Sequence, residues 1–252
     1  MIAHYSDLEG KTFLVTGASS GIGRAIAIAL GEQNANVILS GRDTTRLQET
    51  ASHIPGAVTA PADLVAEAER NDLADQLPPL DGLCHAAGII NPFPIRYLDQ
   101  KQFDKVFSIN ATAPILLTSR LLGKKKFKEN ASLVFLSSVS SDRAMKGGSM
   151  YTISKSALEA FSRSITLEHA IKGIRANCLR PGLVATDIYT QAEQLASAAG
   201  SEERLEEYKS RYLLGLGQTD DVAQAALFLL SSASRWITGR DITLDGGLGS
   251  QI

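Results

Sequence analysis

Cysteine is nearly missing from this chain, with only Cys84 and Cys178 among 252 residues. Both stand in apolar runs that read as interior strands, where an unpaired cysteine behaves as a small hydrophobe, so neither a redox nor a metal role is assigned to them. An excess of either charge is missing too. With 25 Lys and Arg against 27 Asp and Glu, the formal net charge is -2, which gives no global field to attract nucleic acid or an anionic membrane. No apolar stretch approaches the roughly 18 to 20 residues that a bilayer span needs, and the opening MIAHYSDLEGK contains no apolar signal core. A cytoplasmic protein is expected. Repeats, low-complexity tracts and Pro/Ser-rich linkers are absent, so residues 1–252 are expected to form one domain with one sizeable core, suited to a small-molecule partner.

What is present is a rhythm. Short β-rich runs at Thr12–Thr16, Asn36–Ser40, Ala57–Ala60, Gly82–Ala86, Ser132–Ser137, Arg175–Leu179 and Ile242–Leu244 alternate with segments of helical period that start near Gly21, Thr44, Val65, Asp99, Ala111, Tyr151 and Asp220. This alternation predicts an α/β fold with a doubly wound parallel sheet of about seven strands and helices on both faces. The irregular stretch is Ile188 to Gly217, where TQAEQLASAAG and SEERLEEYKSRY suggest one or two amphipathic helices inserted over the substrate side.

Directly after the first strand comes Thr16-Gly17-Ala18-Ser19-Ser20-Gly21-Ile22-Gly23, and an apolar helical pattern follows at once. Glycines let a diphosphate approach the backbone, and a helix N-terminus aims N–H groups and positive dipole at the anion. The spacing G-x-x-x-G-x-G differs from the common G-x-G-x-x-G fingerprint. The run TGASSGIG resembles the cofactor motif of the classical short-chain dehydrogenase/reductase family, whose fold is Rossmann-like. That resemblance implies that Ser19, Ser20 and Ile22 lie along the diphosphate while Gly17, Gly21 and Gly23 shape the turn. The second strand ends in Ser40-Gly41-Arg42. Gly41 occupies the place of the acid in NAD-preferring relatives and Arg42 that of the base in NADP-preferring ones. A guanidinium offers a 2′-phosphate a charge-assisted contact, so NADP(H) is the expected cofactor. The same resemblance gives Asp63 and Leu64 to the adenine and no metal to the site.

Tyr151 and Lys155 stand in Y-T-I-S-K, an i, i+4 pair on one helix face. A phenol with an ordinary pKa of about 10 is a poor base at neutral pH, and a nearby ammonium plus the helix dipole would lower it. The fifth strand runs into Ser137-Ser138-Val139-Ser140-Ser141, which delivers hydroxyls to the ligand-binding edge of the sheet. The family's serine lies 13 residues before its tyrosine, and that spacing alone selects Ser138 from these four. Asn110 in FSINATAP matches the family's asparagine. The resemblance then implies that Tyr151 is general acid/base, that Ser138 holds the carbonyl oxygen, and that Lys155 lowers the Tyr151 pKa and binds ribose. It also implies that Asn110 supports a proton relay. Pro181, Gly182, Val184 and Thr186 match the nicotinamide-holding turn. One departure stands out: relatives often carry N-N-A-G after the fourth strand, whereas this chain has His85-Ala86-Ala87-Gly88. Ala87 and Gly88 can still pass close to the adenosine ribose, and His85 is expected to be a satisfied structural residue.

The resemblance implies hydride transfer between nicotinamide and a ketone, an aldehyde or a secondary alcohol. The pattern is also similar to that of the family's 3-oxoacyl-acyl-carrier-protein reductases, so a carrier-linked thioester is one candidate and a sugar or steroid-like carbonyl another. The pocket is expected to be largely apolar, formed from 90–97, 140–150 and 188–217. Basic Lys124-Lys125-Lys126-Phe127-Lys128 could meet an acidic carrier, but lysines ending a helix more often form a solvated face. The helices from Ala111 and Tyr151 keep surplus apolar residues, and in relatives these helices pair across a twofold axis, so the resemblance implies a homodimer or homotetramer. The competing class is a non-catalytic NADPH-binding regulator or scaffold on the same fold.

Overall fold

A computed structural model describes residues 4–186, 189–190 and 202–250, with backbone only at 202–205. Seven strands form a single parallel sheet: β1 (Thr12–Thr16), β2 (Asn36–Ser40), β3 (Val58–Thr59), β4 (Leu80–His85), β5 (Phe127–Leu136), β6 (Arg175–Pro181) and β7 (Asp241–Leu244). Their order is β3-β2-β1-β4-β5-β6-β7. The chain winds outward from β1 to one edge, then returns to pair β4 with the other side of β1. That reversal opens a crevice at the carboxyl ends of β1, β2 and β4, where ligands bind in sheets of this kind.

Strand alternation explains why both faces are covered. Phe13, Val15, Val37, Leu39, Cys84 and Val134 enter one apolar cluster, whereas Leu14, Ile38, Leu83, Leu133, Phe135 and Cys178 enter the other. The first cluster is closed by α1 (Gly21–Glu32), α2 (Thr44–Ala51) and the last helix, and the second by α3 (Glu67–Gln76) and the helices that carry Leu117 and Leu158. Both cysteines are buried, and burial pushes their thiols well above the ordinary range, in keeping with an inert role.

The expected separate helices near Asp99 and Ala111 are one rod. The helix α4 (Gln100–Phe107) continues through a π-helical turn, Ser108–Thr112, into α5 (Ala113–Gly123). Pro114 has no N–H for the Asn110 carbonyl one turn back, so the ordinary ladder cannot pass through this point and widens there. The rod of 24 residues is long and apolar enough by composition to cross a bilayer, a length the sequence reading did not anticipate. Val106, Ala113, Leu117 and Leu121 are instead buried in the protein.

The helix α6 (Ser149–His169) carries Tyr151 and Lys155 in its first two turns. Of the expected insertion, 188 and 191–201 lie outside the described residues, and α7 (Glu202–Ser210) corresponds to its second amphipathic segment. The last helix, α8 (Thr219–Leu230), starts from a capping box of Gln218 and Asp221 and packs on α1.

Candidate active site

A cavity of about 660 Å³ opens along the carboxyl edge of β1, β2 and β4. Its wall contains Gly17, Ser19, Ser20, Gly21, Ile22, Gly23, Arg42, Asp63, Leu64, Ala87, Gly88 and Thr186, all singled out from the sequence. At one end lies the start of α1. Ser20 is its N-cap but makes no side-chain cap bond, so the first N–H groups of the helix face the cavity without that competitor. Two glycines make the turn tight. Gly17 has φ +69° and a Cβ there would lie 2.5 Å from the Ala87 nitrogen, while a Cβ on Gly23 would collide with the Gly17 carbonyl. The bare backbone is what a diphosphate requires.

At the β2 end Arg42 lines the wall, joined by Asp43 and Arg46. Sequence reasoning missed Arg46, although its i, i+4 relation to Arg42 was available as a signal. Asp43 is committed locally: one oxygen caps α2 at Arg46 N (3.0 Å) and the other lies 3.7 Å from Arg46 Nε.

Gly88 joins the cavity to the catalytic candidates. A Cβ there would sit 3.2 Å from Lys155 Nζ and 3.4 Å from Asn110 Oδ1. Asn110 occupies the π turn, and its side chain clamps the chain beyond β4. Its Oδ1 accepts from Ile89 N (2.8 Å), and its Nδ2 donates to Ile89 O (2.9 Å) and Ser154 Oγ (3.1 Å). Both amide protons are thus engaged in holding this strand end, leaving only acceptor capacity on Oδ1 for a relay.

Lys155 is buried and donates to the Leu136 carbonyl at 2.7 Å, with its Nζ 5.6 Å from the Tyr151 ring centre. Burial pushes its pKa down to about 8. The Tyr151 phenol is held above its ordinary value by burial, against a lowering hydrogen bond from Ser138. The Lys155 ammonium donates to the Leu136 carbonyl, and burial is the larger influence on the Tyr151 phenol. Ser138, 7% exposed, lies two residues past β5 in an extended conformation, and its Oγ accepts from Ser140 N at 3.1 Å.

Three predicted cofactor residues stand behind the cavity wall. Pro181 closes β6 opposite Leu244, Val184 packs in the core, and Gly182 leaves room for Tyr212, whose Cε1 would lie 2.6 Å from an added Cβ. Only Thr186 of that turn reaches the wall.

His85 bridges Thr16 Oγ1 (3.2 Å) and Thr118 Oγ1 (2.9 Å) and stacks on Phe135. Burial lowers its pKa to about 3, so it is neutral and structural, as expected. The lysine tract sits at the amino end of β5, away from the cavity. Lys124 pairs with Asp75 (2.7 Å) and Lys128 with Asp81 (2.7 Å), while Lys126 donates to Asp75 O and Leu77 O.

Residues 17–249 match a family model described as enoyl-(acyl carrier protein) reductase. A 3-oxoacyl-[acyl-carrier-protein] reductase, FabG, from Rickettsia felis is 31% identical over 244 residues, covering 96% of this chain and 98% of that protein. The chain belongs to the short-chain dehydrogenase/reductase family. Members of this family are oxidoreductases that use a nicotinamide cofactor, and the seven-stranded sheet is their fold. Rat dehydrogenase/reductase SDR family member 6 is 28% identical over 242 residues, covering 95% of this chain and 98% of that one. A Brucella melitensis structure called short-chain dehydrogenase/reductase SDR:glucose/ribitol dehydrogenase superposes with a TM-score of 0.88 at 26% identity, covering 98% of this chain and 99% of its own. A Thermoplasma acidophilum aldohexose dehydrogenase reaches 0.87 at 25% identity, with 98% and 97% covered.

Proposed function

We propose that this short-chain dehydrogenase/reductase is NADP(H)-dependent and moves a hydride between nicotinamide and a ketone, an aldehyde or a secondary alcohol. The observation that carries this reading is one continuous cavity, with the exposed start of α1 and Arg42 at one end and Gly88, backed by Lys155 and Asn110, at the other. The residues fit the cofactor: glycines that tolerate no Cβ for the diphosphate, and a guanidinium for the 2′-phosphate.

When bound, the dinucleotide supplies or accepts the hydride. Tyr151 donates a proton to the carbonyl oxygen as reduction proceeds. A phenol with an ordinary pKa of about 10 is protonated at neutral pH, and burial raises that of Tyr151 further. Ser138 holds the same oxygen where negative charge develops. Lys155 remains mostly cationic at neutral pH and favours the phenolate left behind. Asn110 fixes the Ile89 backbone and thereby the strand end along which the cofactor ribose runs.

Relatives named 3-oxoacyl-carrier-protein reductase favour a carrier-linked thioester, and the sugar dehydrogenases favour a polyol or aldose. The lysine tract gives the carrier no support, because it lies at the far end of the sheet. Half-exposed Leu116 on α5 and Ile153 on α6 support a homodimer or homotetramer through these helices, which light scattering would measure.

The test is titration calorimetry with NADPH and NADH. NADPH should bind roughly tenfold to hundredfold tighter, and Arg42→Ala should erase that preference, since one charge-assisted contact is worth about 1.5–3 kcal/mol. Equal affinities would remove the NADP assignment. Binding of neither nucleotide would remove the enzyme assignment and point to the His85-Ala86 strand end.

A further inference from the structure

Glu159 lies one turn beyond Lys155 on α6 and does not reach the cavity, yet its carboxylate is the most heavily bonded group near the proposed catalytic centre. It is 4% exposed. Its Oε1 accepts from Ser137 Oγ (2.6 Å), Ser141 Oγ (2.5 Å) and Arg180 Nε (2.7 Å), and its Oε2 from Arg180 Nη2 (2.6 Å). Arg180 also reaches Asp241 Oδ2 at 3.2 Å, where Arg163 joins at 3.0 Å. Burial opposes the charge on Glu159, but Arg180 and the two serines hold its pKa below the ordinary carboxylate range.

The connectivity gives this charge a use. Ser137 and Ser141 flank Ser138 on the turn that leaves β5, and Ser141 N also donates to the Ser138 carbonyl at 3.0 Å. Glu159 is carried by the same helix as Tyr151 and Lys155, and Arg180 is the residue before the Pro181-Gly182 turn. One carboxylate therefore ties the serine turn, the tyrosine helix and the end of β6 together. Residues that hold a reacting group through hydrogen bonds fix its geometry, and small displacements of such a group are expensive in rate.

We infer that Glu159 is a positioning residue: by holding the hydroxyls on both sides of Ser138 against α6, it fixes the turn that carries Ser138 relative to the helix that carries Tyr151. The inference rests on the proposed function for its catalytic meaning, but the Tyr151 titration can be measured without turnover. Glu159→Gln keeps the shape, while its amide N–H₂ faces donors that previously met an acceptor.

The experiment follows the Tyr151 phenol by NMR of protein labelled with ¹³Cζ-tyrosine, assigned with Tyr151→Phe, alongside calorimetric NADPH binding and kcat for a carbonyl found by screening. Glu159→Gln should shift the Tyr151 titration, both by moving Ser138 and by removing a nearby negative charge, and lower kcat about tenfold, with NADPH affinity within about twofold. Ser141→Ala should shift the Tyr151 titration to a smaller extent with the Glu159 charge in place, which separates displacement of the serine turn from loss of that charge, and it guards against misfolding of the Glu159 variant. Arg180→Lys lowers stability but leaves Glu159 charged and both serines bonded, so it should leave the Tyr151 titration in place. An unmoved titration in Glu159→Gln or Ser141→Ala, or an equal shift in Arg180→Lys, would overturn the inference. If the titration moves as expected while the wild-type protein reduces no carbonyl, the inference stands and the proposed function falls.

Discussion

The two ends of the sheet carry charge in opposite ways. At the amino end, the lysine tract is abundant, half-exposed and matched by carboxylates: Lys128 and Asp81 are 2.7 Å apart with the lysine side chain 45% exposed. At the carboxyl end, Arg42 and Arg46 on the cavity wall are exposed as well, but Lys155 and His85 are buried and their pKa values driven down. Position and burial, more than the density of charge in the sequence, therefore separate a working edge from a solubilising one. The contrast predicts that titrations and substitutions at the carboxyl edge have large effects, and those at the amino edge small ones.

The largest effect should come from His85. Its folded pKa of about 3 lies below the ordinary 6.5, so the unfolded chain binds the proton more readily. Stability is then intact above pH 6.5 and falls as pH drops toward 3, by about 4 to 5 kcal/mol at the lower limit. His85→Asn should flatten that part of a denaturation series taken against pH. An unchanged acid slope in the variant would mean that other groups carry the acid sensitivity. Next comes Tyr151→Phe, which should lower carbonyl reduction about 10³-fold while NADPH affinity stays within about twofold. A parallel loss of binding would make Tyr151 part of the cofactor site and leave the proton donor unassigned.

Lys155 tests the same edge from the alkaline side. With a folded pKa of about 8 against an ordinary 10.5, its burial penalty is full below pH 8. Stability due to this group should rise between pH 8 and 10.5, by about 3 kcal/mol in all. Tyr151 and Tyr212, held above their ordinary values, work in the opposite sense at high pH. The difference between wild type and Lys155→Met in urea denaturation is therefore the proper readout, and a flat difference would show that Lys155 is better solvated than its surroundings imply.

Much of this edge was legible in the sequence because motifs there are local. The glycine turn, Arg42, Asp63 and Ala87-Gly88 are each set by a few residues around one strand end, and all reach the cavity wall. The boundaries of β1 and β2 were legible for a related reason, since a buried parallel strand is a short apolar run bounded by turn residues. What was not legible depends on contacts between distant segments. The π turn at Asn110 arises from Pro114 and the Ile89 backbone together, and the Glu159 cluster gathers residues from the turn after β5, from α6, β6 and β7. Pro181, Gly182 and Val184 matched a family motif, yet they are not among the residues that line the cavity.

The smallest effect is the one that sharpens the comparison most. Lys128→Ala removes an ion pair of 2.7 Å, close to the 2.6 Å of Arg180–Glu159, so distance alone would predict a large cost. The lysine side chain is 45% exposed, however, and water screens the pair while the long side chain loses entropy in holding it. The expected loss is under about 1 kcal/mol, reduced further by salt, with NADPH affinity unchanged. A loss of several kcal/mol in urea denaturation would mean that Asp81, which also accepts from Thr12 N at 2.8 Å where β1 begins, needs Lys128 to stay in place. The amino edge would then be a structural clasp on β1, and exposure would no longer separate the two ends of the sheet.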